Sequence, residues 1–176
     1  MTVASNPLAL AAALSQQTRI LTLGIEDGTA EIFDLVTPTT AKLLQWWFGD
    51  ESRNLRNINF HDGQRRAILN AIVAHEVLDS SSLLDLYGKV CPDAIDNDGT
   101  LRELSAEKHS HPKYCFKMAT GTGKTWVLQA LLIWQFLNRT AATNDGRDDP
   151  RFTRRFLIVA PGLIVYERLL DAFIGK

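Results

Sequence analysis

Apolar segments of two lengths alternate in the last third of the sequence, and this alternation limits the possible folds more than any other feature. "KYCFKMA" and "RRFLIVAPG" are short, as expected of buried strands. "KTWVLQALLIWQFLN" is too long for a strand and apolar on nearly every side, and "LIVYERLLDAFIGK" predicts a further helix. Strand, loop, helix, strand and helix in this order are typical of a βαβ unit in a parallel sheet, with its first helix buried on both faces.

The residues before this unit give weaker signals. "RILTLGIEDGTAEIFDLV" has two β-rich runs around Glu-Asp-Gly and favours a hairpin, and "TPTTAKLLQWWF" favours a helix. Residues 61–78 place apolar side chains on one helical face. We therefore predict an α/β fold in two parts: an N-terminal extension of hairpin and helix over 1–55, and the start of a larger domain over 56–176. The latter contains an irregular insertion at about 80–111 and the βαβ unit at 113–176.

Composition excludes few function classes. The 176 residues are 45% hydrophobic and 22% charged with a formal net charge of -1, so any nucleic-acid contact must come from a local patch. The two cysteines, Cys91 and Cys115, match no paired metal pattern. The longest apolar stretch, residues 126–137, is well under the ~20 residues that a membrane helix needs. We expect a cytoplasmic chain with no membrane contact.

The loop "ATGTGKT" has the chemistry of a phosphate-binding site. Gly121 and Gly123 permit positive φ, so that successive backbone N–H groups can surround an anion at the start of the following helix. Lys124 would reach the β and γ phosphates, and the Thr125 hydroxyl would bind Mg²⁺. The alternative is a tight turn that caps a helix, but a strand before and a helix after favour a nucleotide site. The predicted cofactor-binding residues here are Thr120, Gly121, Thr122, Gly123, Lys124 and Thr125.

Three motifs carry a resemblance to a known family. "MATGTGKT" resembles motif I of superfamily-2 helicases, in the form with Met118 that restriction-type members show. "NFHDGQRRAI" resembles their Q motif, in which Gln64 would pair with adenine N6 and N7, and Phe60 would pack on the base. "FLIVAPGLIVYERLL" resembles motif Ia, whose free N–H groups suit a nucleic-acid phosphate. The predicted nucleic-acid contacts are Pro161, Gly162 and, more weakly, Arg168.

Together the motifs resemble the N-terminal part of a type III restriction enzyme Res subunit over residues 57–176. The resemblance implies a partial RecA-like P-loop domain that binds ATP and Mg²⁺, with Lys124 as its catalytic residue. It further implies ATP-driven translocation along double-stranded DNA, a methyltransferase partner and a nuclease domain elsewhere.

Parts of such a motor are not found in the sequence. No acidic pair follows a strand after Thr125, and Asp148 and Asp149 stand in a polar loop. We therefore expect a fragment of a longer protein that binds ATP weakly at best and does not hydrolyse it. Two alternatives stay open: another P-loop enzyme such as a small-molecule kinase, and a non-catalytic ATP-binding module.

Overall fold

The structure, a computed structural model, describes residues 8–95, 98–160 and 162–174, with only the backbone described at residues 98, 99, 164, 168, 172 and 174. The chain divides into two compact units, Met1–Lys117 and Met118–Lys176. A π-helical turn at Val73–Val77 continues one helix, and 3₁₀ turns lie at Pro92–Ala94 and Glu107–His109. The α-helices are α1 (Ala9–Leu21), α2 (Ile32–Leu35), α3 (Pro38–Phe48), α4 (Asp50–Asn54), α5 (Asp62–Ile72), α6 (Leu83–Val90), α7 (Asp98–Leu104), α8 (Lys124–Asn144) and α9 (Leu163–Ile174).

The predicted parallel sheet is wrong, because no residue within the described ranges belongs to a strand. Residues 112–119 contain the first predicted strand, and residues 155–160 form most of the second; neither segment is helical or paired as a strand. Leu157 is 89% exposed and Val159 is 80% exposed. A strand is stable only when its backbone groups bond to a neighbouring strand, and these segments have no such neighbour in the described structure. The predicted α/β, RecA-like fold is therefore replaced by a helical one.

The predicted N-terminal hairpin is also wrong. α1 extends into its first half and α2 begins in its second half. The turn between them does form: the Asp27 carboxylate accepts hydrogen bonds from the Thr29 backbone N–H at 3.1 Å and from its hydroxyl at 2.6 Å, and Gly28 has φ +81°. Ile25 and Ile32 flank this turn and are fully buried. Since helices and turns bury these apolar residues, flanking strands are not needed to cover them.

The core of the first unit forms where α1 packs on α5 and α6 and where α3 packs on α4. The helical face predicted within residues 61–78 is confirmed by Ile68, Ala71 and Ile72, which are all buried. The segment expected to be an irregular insertion contains α6 and α7. No helix within the described ranges is long and apolar enough to cross a membrane.

A buried carboxylate joins α3 to the π-helical turn. Glu76 is only 3% exposed. It accepts a hydrogen bond from the Thr37 backbone N–H at 2.5 Å and another from the Thr40 hydroxyl at 2.7 Å. Thr37 is itself the N-cap of α3, and its hydroxyl accepts from the Thr40 N–H at 3.1 Å. The negative charge therefore lies at the positive end of the α3 dipole, where it stabilises the helix.

α8 organises the second unit. A stripe of its residues is buried, including Val127, Ala130 and Trp134. The Trp134 ring meets Phe152 edge to face, with the centroids 5.6 Å apart. Other positions on α8 are open, since Ile133 is 46% exposed. The predicted burial of this helix on both faces is therefore wrong, because the sheet that was expected to cover one face is not found among the described residues.

Candidate nucleotide-binding site

The Gly-Thr-Gly-Lys-Thr loop turns sharply before α8. Gly121 has φ +80°, and Gly123 has φ +69° and ψ 41°, so both glycines have the positive φ that the sequence predicts. The Thr122 hydroxyl donates to the Ala119 carbonyl at 2.7 Å and closes the turn. A Cβ at Gly121 would meet no atom within 4 Å, so a side chain there is opposed by backbone strain and not by crowding.

The loop leads into a helix end that suits an anion. Gly123 is the N-cap of α8 and provides no side-chain cap, and the first turn of α8 contains no acidic residue. Three other helices have N-cap side chains that accept hydrogen bonds from their own first turns, namely Thr37, His61 and Ser82. The helices α1, α2 and α4 lack a side-chain cap, as α8 does, but α4 has two acidic residues in its first turn. The first N–H groups of a helix have no intrahelical acceptor, and the helix dipole adds positive potential there. The start of α8 therefore favours a negatively charged ligand.

Lys124 is the first residue of α8, and its side chain is exposed. Its ammonium group donates to two loop carbonyls, Ala119 O at 2.8 Å and Met118 O at 3.2 Å. Within the described ranges, no carboxylate forms an ion pair with it. The two acceptors are neutral, so a phosphate oxygen would bind this cation more strongly than they do. Thr125 follows in the first turn and is half-buried.

The acidic pair that follows this loop in sequence, Asp148 and Asp149, is bonded to arginines. Asp148 pairs with Arg139 at 2.5 Å, and Asp149 forms two bonds with Arg151, at 2.7 and 2.9 Å. The hydrogen bond from Arg151 is the largest influence on Asp149 and holds the pKa of its carboxyl group below the usual range. Within the part of the chain that the structure describes, no cluster of three metal-ligating side chains occurs. The hydroxyl of Thr125 fits Mg²⁺ held jointly with a nucleotide phosphate, the mode in which this ion usually binds.

Gln64 has a structural partner that the sequence analysis missed. It is 6% exposed, and its Oε1 accepts a hydrogen bond from the His61 backbone N–H at 3.1 Å. The His61 ring nitrogen in turn accepts from the N–H groups of Gly63 and Gln64, which completes a capping box. The sequence signal for a capping box is a side chain that can accept a hydrogen bond, followed three positions later by Gln. If Gln64 paired with adenine through both amide atoms, Oε1 would have to leave this bond or share it.

Phe60 also has protein partners. Its ring lies 5.9 Å from Phe48 and 6.2 Å from Trp47, centroid to centroid. Gln64 and Phe60 belong to the first unit, whereas Thr120, Lys124 and Thr125 belong to the second. The loop residues therefore lie together in one unit, and Gln64 lies in the other.

The predicted nucleic-acid contacts are only partly described. Pro161 lies outside the described residues, and so does the side chain of Arg168. Gly162 is exposed and directly precedes α9, and its carbonyl accepts from the Tyr166 N–H at 3.0 Å. A Cβ at Gly162 would meet open space, so the backbone at this helix start is accessible.

The model of the family "Type III restriction enzyme, res subunit" matches residues 57–175, about two thirds of the chain. The chain belongs to this family. The resemblance seen in the three motifs is thereby confirmed, and the matched range contains Gln64, the whole loop, α8 and Gly162. Type III res subunits are helicase-like ATP-binding parts of restriction enzymes; they generally use ATP and Mg²⁺ and act on DNA with a methyltransferase subunit. No curated protein and no solved structure matches the chain.

Proposed function

We propose that this res-family chain binds Mg²⁺-ATP through residues 120–125. Backbone N–H groups at the loop and at the first turn of α8 would surround the phosphates, Lys124 would neutralise the β and γ phosphates, and Thr125 would bind Mg²⁺. In a complete motor, hydrolysis of this ATP would drive translocation along double-stranded DNA, with Lys124 as the catalytic residue and a modification methyltransferase as partner.

The observation that carries the proposal is the start of α8. Two glycines with positive φ, a helix N-terminus without a side-chain cap and a lysine without an ion-pair partner in the described structure occur within four residues, 121–124. A glycine N-cap alone would not carry the proposal, since α4 also begins at a glycine without a side-chain cap. The first turn of α4 contains Asp50 and Glu51, whereas the first turn of α8 has no acidic residue to offset the positive end of its dipole. Membership of the res family supports the same conclusion.

Contacts to adenine and to DNA are separate parts of the proposal. We assign adenine recognition to Gln64, with its bond to His61 as a competing demand on the same oxygen. We assign a DNA backbone contact to the start of α9, at Pro161, Gly162 and Arg168, and the accessible backbone of Gly162 supports this assignment.

A phosphate series tests the nucleotide site. Titration calorimetry with ATP, ADP and AMP, each with Mg²⁺, should show that AMP binds at least about tenfold more weakly than ADP. The β phosphate is the group that the loop and Lys124 would hold, and one charge-assisted hydrogen bond contributes about 1.5 kcal/mol or more. Equal affinities of ATP and AMP would contradict phosphate recognition by the loop.

The same titrations with GTP test Gln64. Gln64→Glu keeps an acceptor for the His61 N–H but removes the amide donor that adenine N7 requires, so capping is retained while base recognition is lost. We expect wild type to prefer ATP over GTP, the Gln64→Glu variant to lose that preference, and Gln45→Ala, an exposed glutamine on α3, to keep it. A preference that survives Gln64→Glu would assign Gln64 to capping alone.

A further inference from the structure

A cavity of about 460 Å³ lies between α1 and α5 in the first unit. Gln64 adjoins its lining residues in sequence but does not line it. α1 contributes Thr18 and Arg19 to its lining, and α5 contributes Asp62, Arg65 and Arg66. The lining thus contains three arginines and one acidic residue. Such an excess of arginine in one cavity favours an anionic ligand, because the planar guanidinium matches the oxygens of phosphate or carboxylate.

The three arginines differ in their partners. Arg65 pairs with Glu26 at 2.5 Å and lies over the Phe48 ring, 5.6 Å from its centroid. Burial acts to raise the pKa of Glu26, but the hydrogen bond from Arg65, a backbone hydrogen bond and the charges of Arg65 and Arg53 together outweigh it, and the pKa lies below its usual value. Arg19 and Arg66 are exposed and form no ion pair with any described residue. Arg65 is therefore fixed in place, while Arg19 and Arg66 are available to a ligand.

A buried hydroxyl in the lining lacks a partner. Thr18 is 3% exposed, and its Oγ1 forms no hydrogen bond with any described residue. An unsatisfied buried hydroxyl costs about 1–3 kcal/mol, so native structures rarely keep one without a use. The lining contains no aromatic side chain on which a base would stack. These features suit a phosphate group and not a whole nucleotide.

We propose that this cavity binds a backbone phosphate of DNA, with Arg19 and Arg66 as its ligands and Arg65 as the fixed member of the cluster. The inference rests on the proposed function, because it adds a second DNA contact to the one proposed at the start of α9. The two contacts lie far apart in sequence. The carboxylate of Asp62 repels an anion. The phosphate would therefore bind away from Asp62, on the side of the cavity that the arginines line.

Anisotropy of a fluorescein-labelled DNA duplex of roughly 20 base pairs, titrated with the 176-residue chain over a salt series, tests the proposal. The test variant is Arg19→Gln/Arg66→Gln. The control is Lys42→Gln/Arg102→Gln, which removes the same charge from two exposed cations that form no ion pair with a described residue. We expect the test variant to bind about a hundredfold more weakly, about tenfold for each arginine, and the control to stay within about threefold of wild type. The slope of log affinity against log salt should fall by about 1.8 in the test variant.

Equal losses in the two variants, at equal thermal stability, would overturn the proposal and show that only net charge matters. So would a wild-type chain that binds no duplex. A third arm measures Mg²⁺-ATP binding in the same variants: it should be unchanged, and a loss there with DNA binding intact would assign the cavity to a nucleotide phosphate instead. Because the nucleotide arm depends on Lys124 and the DNA arm on Arg19 and Arg66, the failure of one is distinguishable from the failure of the other.

Discussion

Trp134→Ala should lower the free energy of unfolding by about 3–5 kcal/mol, whereas Leu157→Lys should change it by less than about 0.5 kcal/mol. Trp134 is 3% exposed and packs edge to face on Phe152, so its removal leaves a large cavity. Leu157 is 89% exposed, and a lysine there meets water. Urea denaturation followed by circular dichroism at 222 nm measures both changes. Trp126→Ala, at a 43% exposed position on the same helix, is the matched control and should cost clearly less than Trp134→Ala.

This pair of substitutions distinguishes the helical structure from the sheet predicted by the sequence. In a buried central strand, Leu157→Lys would place an unpaired charge in the core and would destabilise the protein more than almost any other single change. If Leu157→Lys cost as much as Trp134→Ala, residues 155–160 would have to be buried, contrary to the exposure reported above.

Glu76→Ala should lower the free energy of unfolding by roughly 3 kcal/mol. The substitution removes the acceptor of two hydrogen bonds, those donated by the Thr37 N–H and the Thr40 hydroxyl, and such a loss costs about 1–3 kcal/mol each. It also removes a negative charge from the N-terminus of α3. The same urea titration measures the change.

Two further variants sharpen the result for Glu76. Glu76→Gln keeps one acceptor and removes the charge, so its cost should lie between those of wild type and Glu76→Ala. Glu107→Ala changes an exposed glutamate and should stay within about 0.5 kcal/mol of wild type. A Glu76→Ala protein as stable as the Glu107→Ala control would mean that the buried carboxylate does not support α3.

Local patterns predicted the parts of this chain that depend on local chemistry. The apolar periodicity of residues 61–78 placed α5 and its buried face correctly, and the run after Lys124 predicted α8. The glycines of the loop were assigned positive φ because the motif requires a close approach of backbone to phosphate, and both have it. Helix turns and tight loops are determined within a few residues, so a sequence contains most of the information needed.

Long-range pairing was the part that local patterns did not determine. "FLIV" and "YCF" have strong strand propensity, but a strand forms only when another strand lies beside it, and propensity in a single segment does not contain that information. The bonds of Glu76 to Thr37 and Thr40 join residues far apart in sequence, and Arg19 and Arg66 line one cavity from similarly distant positions. Neither arrangement had a signal in the sequence. The capping role of Gln64 had a local signal, which the search for an adenine-binding glutamine overlooked.

Binding of Mg²⁺-ATP to the Lys124→Ala variant, measured by calorimetry beside wild type, tests the nucleotide site most directly. Lys117→Ala is the control, an exposed lysine just before the loop with no predicted role. Loss of an ammonium that holds two phosphates should weaken binding by at least about tenfold, and the control should bind as wild type does. Because Lys124 also donates to Met118 O and Ala119 O, the melting temperatures of the variants must agree with wild type for the comparison to hold. Equal affinity of wild type and Lys124→Ala for Mg²⁺-ATP would contradict the assignment of this loop as the nucleotide site.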